Sequence, residues 1–323
     1  MYSIKNKIRT MFALSVLGIA ALLAAPALAA SLSINFEGYA LGSVHGQDGW
    51  SSSGAAGSGC AVYDHAIVSN TYGYASFGTK SLRISNAVTS GCFGDHTFSK
   101  SLTDEAGETT AESGGLSGGT RQSFFTAEWD FASTVPGAEQ PGLSVVASPD
   151  RGDGARMSWV QMADTSSGLE VNFFDYQSGA VETGCVAGTN FVLTNVASGL
   201  SRTVPHTIKI TMQFVDGPAN DVVQVYVDGV LSHTGTSWED YFRECEENPS
   251  RTVDSLLFRT AGTAAPGTAG NGFVIDNLSL TSITLVGPPT DKNQCKDGGW
   301  MTFNYPRAFK NQGDCIQFVN TGK

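Results

Sequence analysis

Basic residues are scarce. The 323-residue chain carries 19 Lys and Arg against 30 Asp and Glu, a formal charge of −11, and only 15% of its residues are charged. An acidic surface repels phosphate backbones, which argues against a nucleic-acid partner and is compatible with cation binding and with solubility outside the cell. No phosphate loop is spelled, and no two Cys stand at Cys-x-x-Cys spacing, so neither nucleotide chemistry nor a zinc site is indicated. The five His (His45, His65, His96, His206, His233) are scattered. Helical periodicity is almost absent, and beyond the N-terminus no apolar run is long enough to span a membrane.

What is present begins with a leader. Lys5, Lys7 and Arg9 precede an apolar run over residues 11–25, and Ala27-Leu28-Ala29 offers small residues at a cleavage site. The run is shorter than the ~20 residues of a span, so residues 1–29 read as a signal peptide and the mature protein is expected outside the cell or in the periplasm. Without the leader's three basic residues, 16 basic face 30 acidic, a charge of −14. Six Cys remain, an even number, which in an exported chain implies disulfides. Six Cys allow ~15 connectivities; proximity favours Cys60–Cys92, Cys185–Cys245 and Cys295–Cys315.

The best-specified local structure lies at 206–235. Ile208, Ile210, Met212 and Phe214 alternate with polar residues, as do Val223, Val225 and Val227. A period of two is a half-buried strand. Asp216-Gly217 and Asp228-Gly229 supply hairpin turns, so three antiparallel strands in a meander are predicted. Further strands are predicted over 31–37, 61–69, 80–88, 92–99, 121–133, 155–163, 169–177, 189–196, 252–260 and 272–285, with one helical piece at 238–247. Residues 51–60 and 103–120 read as loops, the latter a solvated excursion. Trp129 and Trp159, inside strand patterns, read as core.

The resulting fold class is all-β, an antiparallel sandwich of jelly-roll type over residues 30–286. Gly287-Pro288-Pro289-Thr290 opens a linker at 287–292, because Pro-Pro resists helix and central strand alike. Residues 293–323 are too few for an independent core and read as a small module stapled by Cys295 and Cys315.

Phe36-Glu37 near the mature start, Val225-Tyr226-Val227-Asp228-Gly229 in a late hairpin, and the closing run Val274-Ile275-Asp276-Asn277-Leu278-Ser279-Leu280 resemble the concanavalin A-like lectin and glucanase superfamily, laminin-G-like domains in particular. The tail, with Cys295-Lys296-Asp297-Gly298-Gly299-Trp300, resembles short appendages at the ends of exported bacterial proteins. The superfamily resemblance implies a structural Ca²⁺ between first and last strands, with Glu37 and Asp276 as matching carboxylates, the oxygen ligands calcium prefers. It also implies a polysaccharide or cell-surface glycan as partner.

Glu128 and Asp130 stand two apart on one strand and so share a face. Family-16 glycoside hydrolases of this superfamily place carboxylates as Glu-x-Asp on a strand, followed by a third; here the third is missing. Both are therefore expected as glycan-binding polar groups. A polysaccharide lyase needs a base and an Arg, Asn or Gln to neutralise a uronate carboxylate; Arg156, Gln161, Tyr176 and His206 are the right types, although alginate-lyase motifs of this fold are absent. Trp238 is expected at a groove rim, which gives Glu128, Asp130, Arg156, Gln161, Tyr176 and Trp238 as the candidate binding set. Arg151-Gly152-Asp153 fits a simple turn. The leading expectation is a secreted, non-catalytic carbohydrate-binding or surface-interaction protein. A lyase or glycoside hydrolase on the same fold, and a structural matrix component, are the alternatives.

Overall fold

The computed structural model describes residues 29–323 except 57, 59, 90–94, 110–118, 179–189, 246–250 and 261. Residues 1–28 of the predicted leader, Cys92 and Cys185 thus lie outside the described residues. The strands in chain order are β1 (Ala30–Ile34), β2 (Ser51–Ser52), β3 (His65–Ser69), β4 (Lys80–Ile84), β5 (His96–Phe98), β6 (Ala106–Gly107), β7 (Phe124–Ser133), β8 (Ser144–Asp150) and β9 (Trp159–Thr165). There follow β10 (Gly168–Tyr176), β11 (Phe191–Leu200), β12 (His206–Gln213), β13 (Val222–Val227), β14 (Val230–Gly235), β15 (Thr252–Val253), β16 (Ser255–Arg259) and β17 (Phe273–Ile283). Two short α-helices, α1 (Glu239–Glu244) and α2 (Gln312–Thr321), and four single-turn 3-10 helices complete the described elements.

Two antiparallel sheets make the sandwich. An eight-stranded sheet runs β14-β13-β12-β7-β17-β4-β3, with β1 also paired to β17; a seven-stranded sheet runs β11-β10-β9-β8-β16-β5-β2. Strands far apart in sequence are neighbours in both, as in a jelly roll. The predicted meander is β12-β13-β14. It closes at Asp228 and Gly229, both at positive φ, the geometry of a primed two-residue turn.

The alternation of each strand sets the core. Phe125, Ala127, Trp129 and Phe131 of β7, Ile208 and Ile210 of β12, and Phe273 and Ile275 of β17 are fully buried. They meet Val145, Val160, Met162, Val171, Phe173 and Phe258 from the other sheet in one continuous cluster. Full burial of each large side chain contributes about 1.5–3 kcal/mol.

Three local expectations change. β8 was not predicted: six of its seven residues are buried, so no alternation shows, and Pro149 speaks against a central strand. Within 103–120, residues Glu105, Ala106 and Glu108 are buried rather than solvated, because Glu105 pairs with Arg121 and Glu108 with Arg243 and Arg251. Trp159 is half-buried on the face turned away from the core, since Val160 and Met162 take the inward positions of β9.

The C-terminal module has its own small core, Cys295, Cys315, Phe303 and Phe309, closed by the Cys295–Cys315 disulfide at a Cα separation of 5.8 Å. Asn304 ties it to the end of the sandwich by accepting from the Val286 N–H and donating to the Thr284 carbonyl. Cys60 and Cys245 are also disulfide-bonded, and no described Cys is free.

Candidate functional site

On the seven-stranded sheet, strand register lays out two rows of outward side chains. Leu193, Phe174 and Trp159 face one another across β11, β10 and β9. One step along, Asn195, Asn172 and Gln161 form a parallel row, which continues across β8 through Val146 to Arg259 and His96. The amides are linked in series: Asn195 donates to Asn172 at 2.9 Å, Asn172 to Gln161 at 3.3 Å, and Gln161 to Ser144 Oγ at 2.7 Å. Gln161 and Ser144 also line a cavity of about 370 Å³ with Asn86, Gly142 and Thr263.

Two further segments cover this face. The loop after β8 brings the Arg156 guanidinium to 5.5 Å from the Trp159 ring and 6.0 Å from that of Trp238. Arg259 lies 5.0 Å from the same Trp159 ring, so two guanidinium groups share one indole. Helix α1 supplies Trp238 at its N-terminus and Tyr241. Trp238 packs 4.5 Å from Phe191 and 5.8 Å from Trp159, and its indole N–H donates to the Phe174 carbonyl.

Electrostatically the spot is unusual in an acidic protein. His96 contacts Arg156 at 2.8 Å. Burial, with Arg156 and Arg259 beside it, pushes the imidazole down to about 3, so it is neutral at physiological pH. Burial and Arg259 bring Arg156 down to about 10, still charged. Among the described residues no carboxylate is in ion-pair contact with Arg156, and its Nε has no hydrogen-bond partner. Trp159 Nε1, Ser148 Oγ and Ser158 Oγ nearby in the chain and sheet are likewise buried without partners. A buried donor left unsatisfied costs about 1–3 kcal/mol.

Of the predicted binding set, the structure brings Arg156, Gln161, Tyr176 and Trp238 to this face. Tyr176 packs 5.1 Å from Phe191, and its hydroxyl bonds to Glu244; burial and Glu244 push the phenol up. Glu128 and Asp130 are elsewhere, on the outward face of the eight-stranded sheet. Asp130 accepts from Thr207 at 2.6 Å and Asn277 at 2.8 Å, while Glu128 lies opposite Lys209 and Ser279. The two outward faces lie on opposite sides of a sandwich about 10 Å thick, so these carboxylates cannot share a ligand with Arg156. His206 is held between Asp228 and the Ser201 carbonyl at the meander turn. Arg151 and Asp153 pair with each other, closing their turn. His96, Arg259, Phe174, Asn172 and Ser148 were not singled out from the sequence. Only the alternation of Arg259 with buried Leu256 and Phe258 hinted at an outward Arg.

The residues implied for calcium were tested by their donors. Glu37 accepts from Thr79 N–H at 2.6 Å, Lys80 N–H at 3.1 Å and the Thr79 hydroxyl. Asp276 accepts from Ser81 and from Asn277 N–H, and burial pushes it up to about 7. The Lys80 ammonium donates to the carbonyls of Glu37 and Tyr39. Calcium requires six to eight free oxygen ligands. These oxygens already serve protein donors, so the set does not fit the ion.

No protein-family model matches the chain, and no curated protein matches it. Among solved structures, an endo-1,3-beta-glucanase from Streptomyces sioyaensis aligns over 81% of this chain and 99% of its own, at 13% identity and a TM-score of 0.40. An alginate lyase from Pseudomonas aeruginosa aligns over 62% and 82%, at 8% identity and 0.35. The carbohydrate recognition domain of Emp46p aligns over 74% and 90%, at 12% identity and 0.32. At these identities and scores the likeness assigns no family and no activity.

Proposed function

We propose that this protein binds an acidic polysaccharide on the outward face of its seven-stranded sheet, outside the cell, without breaking the chain. The observation that carries this reading is Arg156. Its guanidinium rests on two Trp rings, has no carboxylate partner among the described residues and leaves a donor unmet. A half-buried guanidinium in that state suits an incoming carboxylate, which it can hold by two parallel hydrogen bonds. Phe174 and Trp159 offer an apolar row for sugar rings, and the amides of Gln161, Asn172 and Asn195 offer donors and acceptors for hydroxyls. The leader pattern and the disulfides support export.

Two features favour binding over catalysis. Removal of a proton beside a uronate carboxylate needs a base poised near neutral pH. His96, held near 3, is a weak base, and Tyr176 is pushed away from the phenolate form. A lyase is the second reading, carried by the contact of Arg156 with His96, a carboxylate neutraliser beside an imidazole.

Affinity electrophoresis through gels containing alginate, polygalacturonate or a neutral β-glucan tests this, with parallel assays of ultraviolet absorbance and reducing ends. Retardation in the acidic gels alone, with no products, is expected. New double-bond absorbance would replace the binding reading with the lyase; no retardation in any gel would remove both.

A further inference from the structure

The turn that follows β1 meets the start of β4 in a corner that contains a built cation position. Residues 35–39 turn sharply, with Phe36 at positive φ, and expose the Glu37 and Tyr39 carbonyls to one side. Lys80, at the start of β4, reaches them with Nζ at 3.1 Å and 2.6 Å. The Glu37 carboxylate is gripped in return by the backbone N–H groups of Thr79 and Lys80 and by the Thr79 hydroxyl. Those donors hold Glu37 well below the usual carboxylate range, so it remains charged beside the ammonium. Gly78 makes the grip feasible: a Cβ there would sit 2.2 Å from Glu37 Oε1. One position on, Ser81 donates to buried Asp276 of β17, which joins the corner to the closing strand.

We propose that Lys80 is the resident cation of this corner. Its ammonium holds the Glu37 and Tyr39 carbonyls together, and the sandwich closes without metal. An ammonium suits two carbonyls and an adjacent charged carboxylate, whereas a divalent ion would have to displace it and strip three donors from Glu37. The lysine therefore makes folding independent of calcium supply. Removing the amine frees only two carbonyls and leaves the Glu37 carboxylate with its Thr79 and Lys80 N–H donors, so no divalent site takes its place.

The test is thermal unfolding of the full chain with EDTA or with CaCl₂, for the wild type, Lys80→Met and Lys100→Met, whose lysine pairs with Asp48 at the surface. Expected results are a wild-type midpoint unmoved by chelator or calcium, a lowered midpoint for Lys80→Met that calcium does not restore, and a Lys100→Met control near the wild type that calcium leaves unchanged. A wild-type midpoint that falls in EDTA and recovers with calcium would overturn the proposal. So would a Lys80→Met protein indistinguishable from the Lys100→Met control, or one that calcium restores.

Discussion

Replacing Arg156 by Met separates the demands of ligand from those of the fold. The side chain lies over Trp159 and Trp238 and meets His96; Asp150 attracts its charge, but no described carboxylate is in ion-pair contact with it. A hydrogen bond to a charged partner contributes about 1.5–3 kcal/mol, so losing the guanidinium should weaken binding of an oligouronate by ~10- to ~150-fold. Methionine keeps the apolar stem against the rings while removing a half-buried charge. Such a charge costs the folded state, so the melting temperature should hold or rise. Isothermal titration with a defined oligouronate, alongside thermal unfolding, reads both quantities. Arg156→Lys should be intermediate, because a point charge replaces a planar fork. Affinity unchanged within ~2-fold would refute the reasoning. A sharp fall in melting temperature would also refute it, by making Arg156 a residue of the fold.

Stability should decline as pH rises through neutrality. Burial and the neighbouring Glu239 push Asp221 up to about 8, and burial brings Asp150 and Asp276 to about 7, all above the ordinary carboxylate value. Native protein thus holds protons that the unfolded chain releases. That stabilisation is complete below the unfolded pKa of ~3.9 and is lost as pH passes 7 to 8. His65 and His96, pushed down to about 4 and 3, act oppositely, but only below their ordinary value of 6.5. Melting temperature should therefore fall between pH ~6.5 and ~8.5, and Asp221→Asn should flatten that slope; a rising profile would contradict the assignment. Gly78→Ala places a Cβ against Glu37 at a φ of +60° and should cost about 1–3 kcal/mol, seen as a lower denaturation midpoint. Cys315→Ser removes a staple of about 3 kcal/mol from the C-terminal module, so limited proteolysis should trim that module and leave the sandwich intact.

The scaffold was more legible than the site. The meander showed because β12 and β13 each have one wet face, and its Asp-Gly turn is a local signal. β8 was hidden because both its faces are covered. The site is assembled by long-range register. His96 reaches Arg259 through the pairing of β5 with β16, and Arg156 reaches both from a loop, which no local pattern encodes. Arg156, Gln161, Tyr176 and Trp238 were recognisable by residue type. Glu128 and Asp130 were equally eligible by type, and only the sheet arrangement separates them from that group. Trp159 was misplaced because an aromatic in a strand reads as core until its inward neighbours are known.

The indole N–H groups offer the most direct test of the binding face. Trp129 Nε1 faces Met162 sulfur inside the sandwich, Trp50 Nε1 donates to Tyr39, and Trp238 Nε1 donates to Phe174, whereas Trp159 Nε1 has no partner. Titrating ¹⁵N-labelled protein with an oligouronate should shift the Trp159 indole cross-peak most and leave Trp129 and Trp50 in place. A Trp159 signal that stays fixed while residues around Glu128 and Asp130 move would contradict the account.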